Sequence, residues 1–219
     1  MLNESIENYL KAIYGLSNND YVSTNEIAEK LAASPSSVSK TLKKLSDSGY
    51  VYYTSHKGVK LTESGLAESM KILRRHRLLE LFLHNVLGYD WDEIHDEACV
   101  LEHHISNKFE DAIDKYLGYP NRDPHGDPIP NKNGELSHYE TKPVSELEVG
   151  NEGKIFRIKG NDPELLKYLS KNNLLPDKIV RIIRKEPFEG SVVLENDGKN
   201  TVIGMEVAKS ILILEINNN

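Results

Sequence analysis

The 219-residue sequence has a single cysteine, Cys99, and no apolar run as long as 18 residues. One cysteine excludes an internal disulfide framework, and without a long apolar run no transmembrane helix is predicted. The first residues, MLNESIENYLKAIYGL, carry acidic side chains and no basic segment, which is not typical of a secretory signal. We therefore expect a cytoplasmic protein that does not engage a membrane.

The chain also lacks the overall basic charge of many nucleic-acid binders, because its net charge is −7. The charge is uneven, however: it is +1 over residues 1–62, −8 over 63–140 and 0 over 141–219. The acidic middle third favours cation binding. The first third has no excess of negative charge that would repel an anionic partner.

Familiar catalytic motifs are missing as well. The sequence contains no HExxH, GxSxG, P-loop or GxGxxG pattern. The His95-Asp96 pair resembles the one in metal-dependent phosphohydrolases, but helical geometry would direct Asp96 away from Glu102. We therefore expect that the protein is not an enzyme. The alternative is a metal-dependent phosphohydrolase.

Residues 1–62 predict a winged helix-turn-helix. Apolar residues recur at helical spacing in SIENYLKAIYGLS. Ser23 and Glu26 form a capping-box signature for a second helix, and Ser34 followed by Pro35 begins a third. YVYYTSHKGVKLT then predicts a hairpin with its tip at residues 55–58.

The third helix is the expected reader of the DNA major groove, with the hairpin as the wing. Serine and lysine side chains in its first turns are suited to base edges and phosphates. We therefore expect it to bind double-stranded operator DNA; the alternative is a winged helix used for protein contact. The candidate DNA-binding residues are Ser36, Ser37, Ser39, Lys40, Lys44 and Lys57.

Three further segments follow. Residues 63–118 predict an all-helical domain whose long apolar faces favour a homodimer. Residues 119–143 contain five prolines and predict a linker. Residues 144–217 predict a small β-barrel with the strands KIFRI, KIVRII, SVVLE, TVIGME and ILILEI and one helix, DPELLKYLSKN.

The stretch HDEACVLEHH, residues 95–104, concentrates potential metal ligands. On a helix over residues 92–105, His95, Cys99, Glu102 and His103 fall within an arc of roughly 100°. Imidazole, thiolate and carboxylate groups together suit a divalent transition metal.

One helix face cannot close a coordination sphere, so a second source of ligands is needed. The preceding helix offers His76 and Glu80 at i, i+4, and His125 from the linker is a further candidate. The alternative is a metal-independent scaffold, in which the His–Glu pairs are solvated ion pairs and Cys99 is a small core residue.

Over essentially its whole length the chain resembles the metal-dependent transcriptional repressors of the diphtheria-toxin-repressor type (DtxR/MntR), which include iron and manganese regulators. The resemblance rests on ENYLKAIY, SPSSVSKTLKKL, KGVKLTESG, RRHRLLELFL, HDEACVLEHHIS and PHGDPIP. It implies a multidomain, mainly α protein: a winged helix-turn-helix, a helical dimerisation domain and a C-terminal SH3-like (FeoA-like) barrel.

The resemblance also implies two metal sites. The primary, activating site would use Cys99, Glu102 and His103 together with Asn8, while the adjacent Glu7 would point elsewhere. The ancillary site would use His76, Glu80 and His95, completed by His125 or by Asp162 or Glu164 from the barrel.

Four positions depart from relatives. Asn8 stands where the family usually has Met or Asp, and Asp123 replaces a cysteine found in some members. In manganese-type relatives the Cys99 position is a glutamate, and Lys11 here replaces an acidic residue used there. Because a thiolate favours later metals than Mn²⁺, the expected function is an Fe²⁺-dependent repressor of metal homeostasis, with an Mn²⁺-responsive regulator as the alternative.

Overall fold

The computed structural model describes residues 2–17, 20–188 and 190–216. Residue 217, the end of the predicted barrel domain, lies outside them. The chain divides into two units. The first unit comprises residues 1–76, 101–107 and 130–136, and the second comprises 77–100, 108–129 and 137–219.

The first unit contains the predicted winged helix-turn-helix. Its elements are α1 (Glu4–Leu16), α2 (Thr24–Lys30), α3 (Pro35–Asp47), β1 (Val51–Thr54) and β2 (Gly58–Leu61). The capping box at Ser23 and the Ser34 cap both form, so the predicted starts of α2 and α3 are confirmed.

Apolar residues from every element of this winged helix fill one core. The antiparallel hairpin pairs Val51 with Leu61 and Thr54 with Gly58. Gly58 has φ +101°, and a Cβ there would lie 2.3 Å from the Val22 carbonyl oxygen, so only glycine allows the wing to bridge to the segment before α2. The largest fully buried core residues are Leu10, Ile13, Ile27, Leu42 and Leu45.

Three helices follow: α4 (Glu63–Asn85), α5 (Ile94–Leu101) and α6 (Asn107–Tyr116). The prediction of one helix over residues 92–105 was wrong at both ends, because α5 is shorter. The His104 amide donates to the Leu101 carbonyl over 2.9 Å, an i to i−3 bond that tightens the chain into a turn. Glu102 and His103 therefore lie in this turn.

The second unit contains six strands: β3 (Lys142–Pro143), β4 (Glu152–Ile158), β5 (Ile179–Lys185), β6 (Val192–Asn196), β7 (Lys199–Ile203) and β8 (Ile211–Ile216). They form one antiparallel sheet in the order β3-β8-β4-β5-β6-β7. The strands β4 and β8 pair Ile155 with Ile213.

Two helices accompany this sheet. The predicted helix is α7 (Pro163–Lys171), and a second helix, α8 (Met205–Ser210), was missed. The predicted strand TVIGME was therefore wrong beyond Ile203. Gly204 is the N-cap of α8. The β-branched residues before it stay in β7, whereas Met205, Glu206 and Ala208 after it include good helix formers.

In the described parts of the chain, no helix combines the length and the apolar character needed to cross a bilayer.

Candidate metal centres and DNA-binding surface

A first cluster of polar side chains lies within the first unit. Helix α1 contributes Glu7, Asn8 and Lys11, and the other members are His76 of α4 and the turn residues after α5. We call these six residues the first cluster: Glu7, Asn8, Lys11, His76, Glu102 and His103.

His103 is buried and held from both sides of its ring. Its Nδ1 lies 2.6 Å from Glu7 Oε2, and its Nε2 lies 3.1 Å from Asn8 Oδ1 and 3.3 Å from Glu102 Oε1. The prediction that Glu7 points elsewhere was therefore wrong: its carboxylate orients the ring. A carboxylate on one ring nitrogen is the usual support for a histidine that ligates metal through the other.

Glu102 is completely buried, and its carboxylate is paired with a cationic side chain. Lys11 Nζ donates to both carboxylate oxygens over 2.7 and 2.8 Å, and His76 Nδ1 lies 2.6 Å from Oε2. Burial raises the pKa of Glu102, but the contacts with His76 and Lys11 outweigh burial and hold the pKa below its ordinary value. The carboxylate is thus kept ionised, as a metal ligand must be.

The first cluster fits a divalent cation. Glu102 Oε1, His103 Nε2 and Asn8 Oδ1 converge from two different parts of the chain. Carboxylate, imidazole and amide oxygen are all ligands of divalent transition metals.

A second cluster lies within the second unit and consists of Glu80, Asp123 and His125. All three are buried, and one ligand atom from each lies within 4.8 Å of the others. His95 Nδ1 is 3.2 Å from Glu80 Oε1, so a further imidazole adjoins the cluster.

His125 presents a defined nitrogen to this cluster. Its Nε2 lies 3.1 Å from the Trp91 carbonyl oxygen, an acceptor, so Nε2 carries the proton. Its Nδ1 is therefore left with a lone pair, and it lies 3.9 Å from Glu80 Oε1. This arrangement fixes the tautomer that binds metal.

The electrostatics of the second cluster show an excess of negative charge. Burial, followed by the charges of Glu80 and Asp127, raises the pKa of Asp123 well above its ordinary value, although Arg77 opposes this. Burial lowers the pKa of His125 and keeps it neutral. A divalent cation would relieve the repulsion between the carboxylates, so these residues also fit a metal.

Asp123 was not among the predicted metal ligands. The available signal was its position two residues before His125, where some relatives have a cysteine. By contrast, Asp162 caps α7 by accepting from the Glu164 and Leu165 amides, and Glu164 is exposed.

The loop that carries Asp123 and His125 is seated on strand β4. The Ile158 amide donates to the His125 carbonyl over 2.9 Å. Gly126 has φ +89°, and a Cβ there would lie 2.0 Å from the Phe156 carbonyl oxygen. Only glycine therefore permits this close approach.

Cys99 belongs to the second unit, where its Sγ lies 3.6 Å from His95 Nε2. That Cys99 shares one metal site with Glu102 and His103 stays a prediction. The same holds for the grouping of His76 with Glu80 and His95, since His76 contacts Glu102 in the first unit.

Helix α3 presents its polar side chains to the exterior of the winged helix. Ser36, Ser37, Lys40 and Lys44 are exposed, and Ser39 is half-buried. On the wing, Lys57 Nζ sits 4.3 Å from the centre of the Tyr21 ring. The apolar positions Val38, Leu42 and Leu45 of α3 face the core. The DNA-binding role of its serines and lysines stays a prediction.

Comparison with known families matches three consecutive regions of the chain. Residues 1–59 match the N-terminal DNA-binding domain of iron-dependent repressors. Residues 62–131 match the metal-binding and dimerisation domain of iron-dependent repressors. Residues 142–214 match the FeoA domain.

Individual relatives include regulators named for different metals. The iron-dependent repressor IdeR of Mycobacterium tuberculosis is 36% identical over 128 residues, which are 58% of this chain and 56% of IdeR. The chain thus spans little more than half the length of that relative.

Solved structures match over a larger share of the chain. A manganese-dependent transcriptional repressor in complex with manganese is 37% identical, with a TM-score of 0.89 over 96% of this chain and 100% of that one. The structure of ScaR with bound Cd²⁺ is 33% identical, with a TM-score of 0.80 over 98% and 100% of the two chains.

A winged helix, a helical segment with clustered candidate metal ligands and a small C-terminal sheet define a class of metal-dependent DNA-binding regulators. Within that class, the chain belongs to the DtxR/MntR family of metal-dependent transcriptional repressors. This confirms the predicted family and fold. The family consists of repressors rather than enzymes, as expected from the sequence.

Proposed function

We propose that this chain is a metal-activated repressor of metal-homeostasis genes that binds operator DNA as a homodimer in the cytoplasm. The observation that carries the proposal is the first cluster. It joins Asn8 of α1, an element of the winged helix, to Glu102 and His103, which follow α5.

The helix that carries Asn8 is firmly part of the DNA-binding fold. Leu10 and Ile13 of α1 are fully buried in the winged-helix core, and Ser69 of α4 donates to the Leu10 carbonyl over 3.1 Å. Any constraint on Asn8 is therefore transmitted to the whole winged helix.

The proposed activation is an ordering effect. A bound cation would supply the positive charge that holds Glu102, His103 and Asn8 together. The winged helix then has less freedom to lose when it meets DNA, so metal and DNA bind with positive coupling. By reciprocity, operator DNA tightens metal binding by the same factor.

Each segment has a role in this proposal. Residues 1–62 bind DNA, residues 63–118 carry ligands and form the dimer, residues 119–143 contribute Asp123 and His125, and residues 144–217 form the barrel. The barrel would support the second cluster, because strand β4 seats the loop that carries His125.

We propose Fe²⁺ as the preferred metal, because Cys99 supplies a thiolate and thiolates favour metals later than Mn²⁺. Two observations favour Mn²⁺ as the alternative. Asp123 adds a carboxylate to the second cluster, and the chain is similar over 96% of its length to a manganese-dependent repressor.

The test is metal-dependent DNA affinity. Operator sequences are selected from a randomised duplex pool, anaerobically with Fe²⁺ and separately with Mn²⁺, and fluorescence anisotropy then measures their affinity with and without metal. We expect at least tenfold tighter binding with the preferred metal. Equal affinity with and without metal would contradict the proposal.

Two variants separate the metal response from DNA contact. The double variant Cys99→Ala, His103→Ala should retain the fold and the weak metal-free DNA affinity but lose the increase with metal. Lys44→Ala, on the exposed face of α3, should lower DNA affinity while keeping the metal-dependent ratio.

A further inference from the structure

Lys11 occupies the centre of the first cluster. Its ammonium lies 2.7 and 2.8 Å from the two oxygens of Glu102 and 3.3 Å from His76 Nδ1. The atoms that contact it are therefore those of two proposed metal ligands. In this structure the ammonium holds the position next to Glu102 that a cation would take.

The buried negative charge of Glu102 requires a cation next to its carboxylate. The Glu102 side chain is 0% exposed, and a buried carboxylate without a cationic partner is strongly unfavourable. Lys11 supplies that partner in the metal-free protein, and it uses both oxygens to do so.

A divalent cation on Glu102 would conflict with this arrangement. It would need at least one of the oxygens that Lys11 holds, and it would lie within a few ångströms of the ammonium. Two positive charges at such a distance in a poorly solvated site repel strongly. The Lys11 side chain remains 22% exposed, so its long stem has a route to solvent.

We propose that Lys11 is a built-in competitor of the metal. Its ammonium neutralises Glu102 in the metal-free protein and must leave that carboxylate before a divalent cation can bind there. Lys11 thereby raises the metal concentration at which the first cluster fills. This inference rests on the proposed metal-dependent function.

The first experiment compares Lys11→Met with the full-length wild type by titration calorimetry with Mn²⁺ at one fixed pH. Methionine keeps an unbranched side chain that is one heavy atom shorter, and it removes the charge. We expect at least about tenfold tighter Mn²⁺ binding. The matched control is Lys71→Met, which removes an exposed lysine that pairs with Glu68 and should leave affinity unchanged.

The second experiment needs no variant and so does not depend on how Lys11→Met folds. Amine acetylation of the wild type is quantified by mass spectrometry at Lys11, with Lys71 as the internal reference. If Mn²⁺ displaces Lys11 towards solvent, its acetylation rate relative to Lys71 rises several-fold on metal addition.

The outcomes distinguish this inference from the function on which it rests. If the wild type binds Mn²⁺ but Lys11→Met binds no more tightly than Lys71→Met, or acetylation of Lys11 does not rise with metal, the competitor role is refuted and the metal-dependent function stands. If Lys11→Met alone binds metal, the competitor role is supported. If neither protein binds Mn²⁺, Fe²⁺ or Zn²⁺, both proposals fail.

Discussion

Gly126→Ala should disable the second cluster while leaving the first intact. A Cβ at residue 126 would lie 2.0 Å from the Phe156 carbonyl oxygen and 2.7 Å from Arg157 Cα. Both atoms belong to the backbone of β4, so no change of rotamer relieves the overlap. The loop that carries Asp123 and His125 must therefore lift away from the strand.

Gly126→Ala should also lower the Tm, by an amount that follows from the interactions the lifted loop loses. The left-handed backbone at φ +89° costs alanine about 1–2 kcal/mol. Lifting also breaks the hydrogen bonds from Ile158 to the His125 carbonyl and from Arg122 to the Phe156 carbonyl, at about 1 kcal/mol each. Because about 1 kcal/mol lowers the Tm of a chain this size by roughly 2–4 °C, these hydrogen bonds account for roughly 4–8 °C.

Gly118→Ala is the matched control. Gly118 has φ +76°, but a Cβ there meets nothing within 4 Å, so it shares the backbone strain and not the overlap. Calorimetry with Mn²⁺ should give two binding events for the wild type and for Gly118→Ala. For Gly126→Ala, one event should be weakened at least about 10–100-fold, as when the support of a ligand is removed. Two undiminished events in Gly126→Ala would refute the role assigned to the loop.

Three further predictions concern the clusters and the reader helix. Glu7→Gln should weaken metal binding about 10–100-fold, because His103 loses the carboxylate that orients it; calorimetry measures this, and unchanged affinity would mean that Glu7 does not support the site. Lys40→Ala should weaken DNA binding and reduce the slope of log affinity against log salt by about 1, measured by anisotropy over a KCl series; an unchanged slope would exclude a phosphate contact. The raised pKa of Asp123 means that its contribution to the stability of the metal-free protein is present at low pH. That contribution is lost as the pH rises from the ordinary aspartate value through the raised one. Mn²⁺ binding in that pH window should therefore release a proton, seen as a buffer-dependent enthalpy in calorimetry; identical enthalpies in two buffers of different ionisation enthalpy would contradict this.

The sequence by itself determined the elements of the winged helix and the family. Ser23 with Glu26, and Ser34 with Pro35, mark helix starts because the capping interactions involve residues close in the chain. His95, Cys99, Glu102 and His103 could be recognised as candidate ligands from residue type and spacing alone. The predicted winged helix is confirmed, since its helices and hairpin are encoded by short-range patterns.

Only the tertiary structure decided which side chains meet. Glu7 and Lys11 are 96 and 91 residues from their partners His103 and Glu102, a separation that no local pattern encodes. Asp123 joins Glu80 because Gly126 lets the loop approach β4. The chain also leaves the helix at Leu101, so a helical arc could not describe the placement of Glu102. Helix starts depend on neighbouring residues, whereas a metal site depends on distant residues that folding brings together, and on the charges that this burial forces them to balance.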